Sequence, residues 1–176
     1  MNEELVEAAR HAGAQLHARG WKLVTAESCT GGLVAAAITE IASSSAWFER
    51  GFITYTNESK QELVDVQTAT LARFGAVSEQ TVREMALGAL THSGADISIA
   101  VSGIAGPSGG TPHKPVGMVC FACAWRTGLN RTGEVQVECR TNHFAGDRAA
   151  VRQAAALLAL QLISLKANSQ VIDITP

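Results

Sequence analysis

Four short segments of this chain carry side chains that could do chemistry. In Thr25-Ala26-Glu27-Ser28-Cys29-Thr30-Gly31-Gly32, the Ser28 hydroxyl stands at a turn between a strand candidate and a helix candidate. Gly31 and Gly32 let the backbone approach a ligand closely. The unbonded N–H groups of a helix start favour negative charge, including the oxyanion of an acyl transfer. The same residues also suit a plain helix cap, with Ser28 or Thr30 as the capping hydroxyl. In Tyr55-Thr56-Asn57-Glu58-Ser59-Lys60, the lysine falls in the first turn of a helix that Asn57 would cap. A lysine works as a general base only when burial or nearby positive charge lowers its pKa, and the positive end of a helix acts in that direction. The competing reading is a solvated surface lysine beside a core tyrosine whose hydroxyl reaches the rim.

The third segment, Ser102-Gly103-Ile104-Ala105-Gly106-Pro107-Ser108-Gly109-Gly110, follows a buried-strand pattern. Its N–H groups could cradle a phosphate, although it has neither a Gly-Lys-Ser/Thr ending nor dinucleotide glycine spacing. A structural turn reads equally well. In the fourth, Phe144-Ala145-Gly146-Asp147-Arg148, an arginine sits just inside a helix N-terminus, where the dipole disfavours it. Gripping a phosphate or carboxylate would explain it, as would an ion pair with Asp147 or Glu134.

The elements that must position these groups follow from periodicity. Leu5, Ala9, Ala12 and Leu16 share one helical face over Glu3 to Arg19, and Gly20 ends it. Strands are expected at Trp21 to Ala26, Gly51 to Thr56 and Ile97 to Val101, with helices at Leu33 to Ile41, from Asn57, and at Thr70 to Phe74. Ser78 caps a further helix. Val116 to Trp125 and Glu134 to Phe144 form a hairpin around a glycine-containing turn, and the strict alternation of the second arm marks it as half exposed. Asp147 opens a last helix with Val151, Ala155, Leu158 and Leu162 in a stripe. The order predicts an α/β fold: a three-layer α/β/α single domain over 1–176, its sheet mixed, mostly parallel and including an antiparallel hairpin.

Composition excludes several classes. With 47% hydrophobic and 17% charged residues, the chain reads as globular, and a net charge of -2 argues against a nucleic-acid or membrane-surface partner. Cys120 and Cys123 have C-x-x-C spacing within a strand, where residues three apart face opposite sides and cannot share a metal or a disulfide. Glu27, Glu49, Glu58 and Asp147 lack a ligand-like spacing, so no metal is expected. The acidic start shows no signal-peptide pattern, and Ala154 to Leu165 stops short of membrane-spanning length. A cytoplasmic enzyme follows as the expectation. Trp47 and Phe48, read as exposed apolar residues, point to a homo-oligomer.

Taken together, the segments resemble one family. Ala26-Glu27-Ser28-Cys29-Thr30-Gly31-Gly32, the run from Ser44-Ser45-Ala46-Trp47 to Lys60, Gly75-Ala76-Val77-Ser78-Glu79, Ser102 to Pro107, Lys114-Pro115-Val116-Gly117 and Gly146-Asp147-Arg148 are similar to the C-terminal domain of CinA (competence-damage-inducible) proteins. The resemblance implies a nicotinamide-nucleotide amidohydrolase with a Ser–Lys site and a small-molecule nucleotide as partner. It needs no cofactor, and the separate N-terminal activity of longer members is not expected. By position it makes Ser28 the nucleophile and Lys60 and Tyr55 its activating partners. Thr30, Gly31, Gly32, Ser45, Ser102, Gly103, Gly106 and Arg148 would then surround the substrate. Backbone N–H groups from Thr30 to Gly32 would hold the oxyanion. Ser45 stands as the alternative nucleophile. A non-catalytic nucleotide-binding accessory protein and a metal-dependent hydrolase are the rival classes, and Thr111-Pro112-His113 receives no role.

Overall fold

The computed structural model describes residues 2–127 and 133–169. The elements run α1 (Glu3–Ala18), β1 (Leu23–Glu27), α2 (Leu33–Thr39), β2 (Phe48–Ile53), α3 (Asn57–Val64), α4 (Thr68–Phe74), α5 (Glu79–Thr91), β3 (Ile97–Gly103), β4 (Met118–Arg126), β5 (Val135–His143) and α6 (Arg148–Ser169). The strands form one sheet in the order β2-β1-β3-β4-β5. β2, β1 and β3 are parallel, whereas β3–β4 and β4–β5 pair antiparallel, so β4 alone runs against the other four strands. Most of the hairpin's connecting turn lies outside the described residues.

Strand alternation sorts the core into two clusters. Leu23, Ile97, Ile99, Val101, Val119, Phe121 and Cys123 face α1, α2 and α6. Val24, Ala26, Ala100, Cys120, Ala122 and Ala124 face α3, α4 and α5. Cys120 and Cys123 therefore lie on opposite sides of the sheet, as their spacing requires. The α5 side is lined with small residues, and Ser98 Oγ donates to Ala86 O at 2.8 Å, fixing α5 closely on β3.

Some boundaries differ from expectation. β2 begins at Phe48 rather than Gly51, because its register starts opposite Leu23 of β1. Trp47 and Phe48 are not exposed. Trp47 is 5% accessible and packs over Gly13, where a Cβ would stand 2.5 Å from the indole. Phe48 packs against the same cluster, so the homo-oligomer expectation loses its ground. Asn57 does not cap α3: Thr56 does, in a capping box with Ser59. α6 runs to Ser169, long and apolar enough by length and composition to cross a membrane. Val151, Ala155, Ala159, Leu160, Ile163 and Ala167 bury one face of it in the core, where it packs beside α1.

The order 2-1-3 creates a switch point. The chain leaves β1 through α2 on one face to reach β2, then returns through α3–α5 on the other face to β3. The crevice beyond the carboxyl ends of β1 and β3 is where open α/β sheets bind ligands.

Candidate active site

Alternation also distributes the residues at the end of β1. Glu27 falls on the α2 side and Ser28, one residue later, on the α3 side. Ser28 N donates to Val101 O at 2.9 Å, which extends the β1–β3 ladder to the turn. Lys60, in the first turn of α3, sends its side chain back toward the helix N-terminus. Its Nζ lies 3.0 Å from Ser28 Oγ and donates to Thr54 O at 2.7 Å. Lys60 is 1% exposed and, among the described residues, has no carboxylate partner. Burial therefore pushes its pKa from 10.5 down to about 8. Desolvation rather than the helix dipole is the main cause. A base that is partly neutral near physiological pH beside a buried hydroxyl can activate that hydroxyl as a nucleophile.

Ser28 and Lys60 open onto a cavity of about 200 Å³ also lined by Cys29, Tyr55, Ala76, Val77, Ser102, Gly103 and Arg148. The Cys29 thiol is pushed up to about 11 by burial and stays protonated, so it does not compete with Ser28 as a nucleophile. Ser102 Oγ donates to Ala76 O at 2.7 Å, and Lys114 Nζ donates to the carbonyls of Phe74 and Val77. These bonds hold the α4–α5 loop as one cavity wall. A larger cavity of about 400 Å³, between β5 and α6, is lined by Cys123, Glu138, Cys139, Leu162 and Lys166; there Lys166 Nζ donates to Glu138 Oε1 at 2.7 Å, and burial raises the Cys123 thiol pKa to about 12.

Other expected residues are placed differently. Tyr55 is 57% exposed, and its hydroxyl accepts from Arg148 Nη2 at 2.9 Å rather than contacting Ser28 or Lys60. Arg148 Nη1 donates to Gly106 O at 2.9 Å, so the arginine joins the tyrosine to the loop after β3. It pairs with neither Asp147 nor Glu134. Asp147 instead accepts from Ala150 N at 2.9 Å, capping α6. Ser45 lies in a short 3-10 turn just before β2, at the amino end of a strand parallel to β1. A strand's length, roughly 16–20 Å, separates it from Ser28, so within this chain it is no alternative nucleophile.

The oxyanion expectation also changes. Glu27, fully buried, reaches over the N-terminus of α2: Oε2 accepts from Gly32 N and Val34 N at 3.1 Å, and Oε1 from Ala35 N at 2.9 Å. Gly31 N donates to Ser28 O. The left-handed turn at Gly31 (φ 59°) and Gly32 (φ 92°) makes this fold-back possible. Gly31 and Gly32 are thus committed internally. Among the described residues, the N–H groups of the turn with neither a backbone nor a carboxylate acceptor are those of Cys29 and Thr30. Thr30 is fully buried behind the turn with its hydroxyl unpartnered. Also among the described residues, no three His, Cys, Asp or Glu side chains cluster as metal ligands would.

Glu27 and Arg152 have roles that local pattern did not reveal. Arg152 Nε donates to Cys29 O at 3.1 Å and Nη2 to Thr30 O at 2.8 Å. The i, i+4 spacing of Arg148 and Arg152 puts both on one helical face, which was the available signal.

Residues 5–166 match the model of the CinA C-terminal domain. The chain belongs to that family. It is 56% identical over 149 residues to the nicotinamide-nucleotide amidohydrolase PncC of Enterobacter agglomerans, covering 85% of this chain and 87% of that one. Against the protein of the same name from Escherichia coli K12 it is 52% identical over 162 residues, covering 92% and 94%. The crystal structure of the competence/damage inducible protein CihA from Agrobacterium tumefaciens superposes with a TM-score of 0.85 at 43% identity, over 96% of this chain and 98% of the other.

Proposed function

We propose that this CinA-family domain hydrolyses the carboxamide of nicotinamide mononucleotide, releasing ammonia and nicotinic acid mononucleotide. The observation that carries the reading is the 3.0 Å contact between Lys60 Nζ and Ser28 Oγ at the switch-point cavity. The names of relatives more than half identical to the chain support a nicotinamide nucleotide as the substrate class. Neutral Lys60 takes the Ser28 proton as Oγ bonds to the amide carbon. The carbonyl π electrons move to oxygen, which forms an oxyanion facing the Cys29 and Thr30 N–H groups. The C–N bond then breaks as Lys60 returns the proton to the departing nitrogen, giving ammonia and a nicotinoyl ester on Ser28. Water, deprotonated by Lys60, attacks that ester. The C–O bond breaks, and Ser28 regains its proton. An activated nucleophile and oxyanion donors suffice for such acyl transfer without a metal.

Purified, chelator-treated protein incubated with nicotinamide mononucleotide should release ammonia and the acid product in equal amounts. Absence of ammonia would leave a nucleotide-binding protein rather than an amidohydrolase. Activity restored only by added metal would overturn the Ser–Lys route.

Arg148 forms the cationic wall of the cavity and has no carboxylate partner among the described residues, so we assign it to the substrate phosphate. Arg148→Ala should raise KM about ten- to a hundredfold, the equivalent of roughly 1.5–3 kcal/mol for a charge-assisted contact, with a smaller change in kcat. The penalty should shrink sharply on nicotinamide riboside, which lacks the phosphate. Equal fractional losses on both substrates would show that Arg148 does not hold it.

A further inference from the structure

Arg152 lies on α6 one turn beyond Arg148 and is half-buried. Among the described residues it has no carboxylate partner, and its guanidinium donates to two successive carbonyls, Cys29 O at 3.1 Å and Thr30 O at 2.8 Å. Both belong to the turn that follows Ser28. A planar fork engaging two carbonyls fixes the orientation of both peptide planes, which a flexible point charge would not.

In a trans peptide, C=O and N–H point in opposite directions. Holding the Cys29 carbonyl toward α6 therefore turns the Thr30 N–H away from the guanidinium. Among the described residues that N–H has no backbone acceptor, and it belongs to the peptide bond that leaves Cys29, a residue lining the Ser28 cavity. Holding the Thr30 carbonyl orients the Gly31 N–H in the same way, and this group donates to Ser28 O at 3.0 Å. A cation on the carbonyl also polarises the peptide and strengthens the N–H on its far side as a donor. We infer that Arg152 is a positioning residue for the oxyanion, aiming and polarising the Cys29–Thr30 peptide without touching substrate. This inference rests on the amide hydrolysis proposed above.

Oxyanion donors act in the transition state and hardly at all on bound substrate, so kinetics separate this role from general support of the fold. Arg152→Ala should lower kcat about ten- to a hundredfold and leave KM within about threefold. Affinity for the 3-formylpyridine analogue of the mononucleotide, whose aldehyde adds Ser28 and forms a tetrahedral adduct, should fall by the same factor as kcat/KM. Affinity for the acid product should hold. Added guanidinium ion should restore part of kcat to Arg152→Ala in a saturable way. Arg152→Lys, which keeps one cationic donor but not the fork, should fall between the two and serves as the test if the alanine variant does not fold.

A rise in KM alone, or parallel losses of substrate, product and aldehyde affinity without rescue, would overturn the inference. So would unchanged kinetics in both variants. The wild-type assay keeps the two readings apart: a wild-type protein that releases no ammonia refutes the amidohydrolase reading. An active wild type with an indifferent Arg152 refutes only this inference.

Discussion

Ser28→Ala is expected to lower amide hydrolysis by at least about a thousandfold, because Lys60 contacts the Ser28 hydroxyl, whereas the Ser102 hydroxyl in the same cavity donates to Ala76 O and that of Tyr55 accepts from Arg148. The nearest rival, the Cys29 thiol, is held protonated by burial, with its pKa pushed up to about 11. Ser45 stands at the opposite end of β2. Removing one buried oxygen should leave the fold intact: Ser28 N keeps its bond to Val101 O, and Lys60 keeps Thr54 O as an acceptor. Lys60 is then more free to stay neutral or to bind water, so any residual rate would reflect water activated directly in the cavity. Rapid-quench mass spectrometry should find a nicotinoyl adduct on wild-type protein and none on the variant, while Ser45→Ala behaves as wild type in both assays. Retention of more than about a tenth of wild-type activity in Ser28→Ala, together with loss in Ser45→Ala, would reverse the assignment.

The parts of this site that were legible in sequence are those set by local pattern. A hydroxyl between a strand and a glycine pair, a lysine in a first helical turn and an arginine at a helix start each announce themselves by neighbours within a few residues. The opposite-facing cysteines and the half-exposed β5 follow from a period of two, which tertiary structure did not disturb. What was hidden depends on distant partners. Glu27 looked like part of a motif without a task. Its role arises because the left-handed Gly31–Gly32 turn brings the start of α2 back over the end of β1, where the carboxylate takes N–H groups expected to serve substrate. Arg152 acts across 122 residues of sequence on Thr30. Trp47 read as exposed because nothing near it in sequence shows that Gly13 leaves room for an indole. Ser45 failed because sequence order does not state at which end of a strand a loop emerges. Only the parallel pairing of β1 and β2 does.

Lys60→Met should abolish turnover to a similar degree, and its pH behaviour tests why the lysine is reactive. With a pKa of about 8 in the folded protein, roughly a tenth of Lys60 is neutral at pH 7, so wild-type kcat/KM should climb with pH and level off above an inflection near 8. The same shift has a thermodynamic signature of known sign. The folded-state pKa lies below the unfolded value of 10.5. Between pH 8 and 10.5 the unfolded chain therefore holds a proton that the folded chain has released, and wild-type stability gains from this group as pH rises. Below pH 8 both states are protonated, and the folded protein carries the full cost of a buried, unpaired ammonium. Methionine fills a similar volume without that charge, although it leaves Thr54 O without its donor. The stability difference between Lys60→Met and wild type should therefore be most favourable to the variant below pH 8. It should then decline by an amount on the order of 3 kcal/mol on passing to pH 10.5. Urea melts of both proteins at pH 6.5, 8, 9 and 10.5 measure this directly, since all other titrating groups cancel in the difference. A difference that stays flat across the window, or a kcat/KM still climbing at pH 10, would mean that burial does not lower the Lys60 pKa; a kcat/KM already at its plateau at pH 6 would mean that Ser28 is activated by a different group that titrates well below 8.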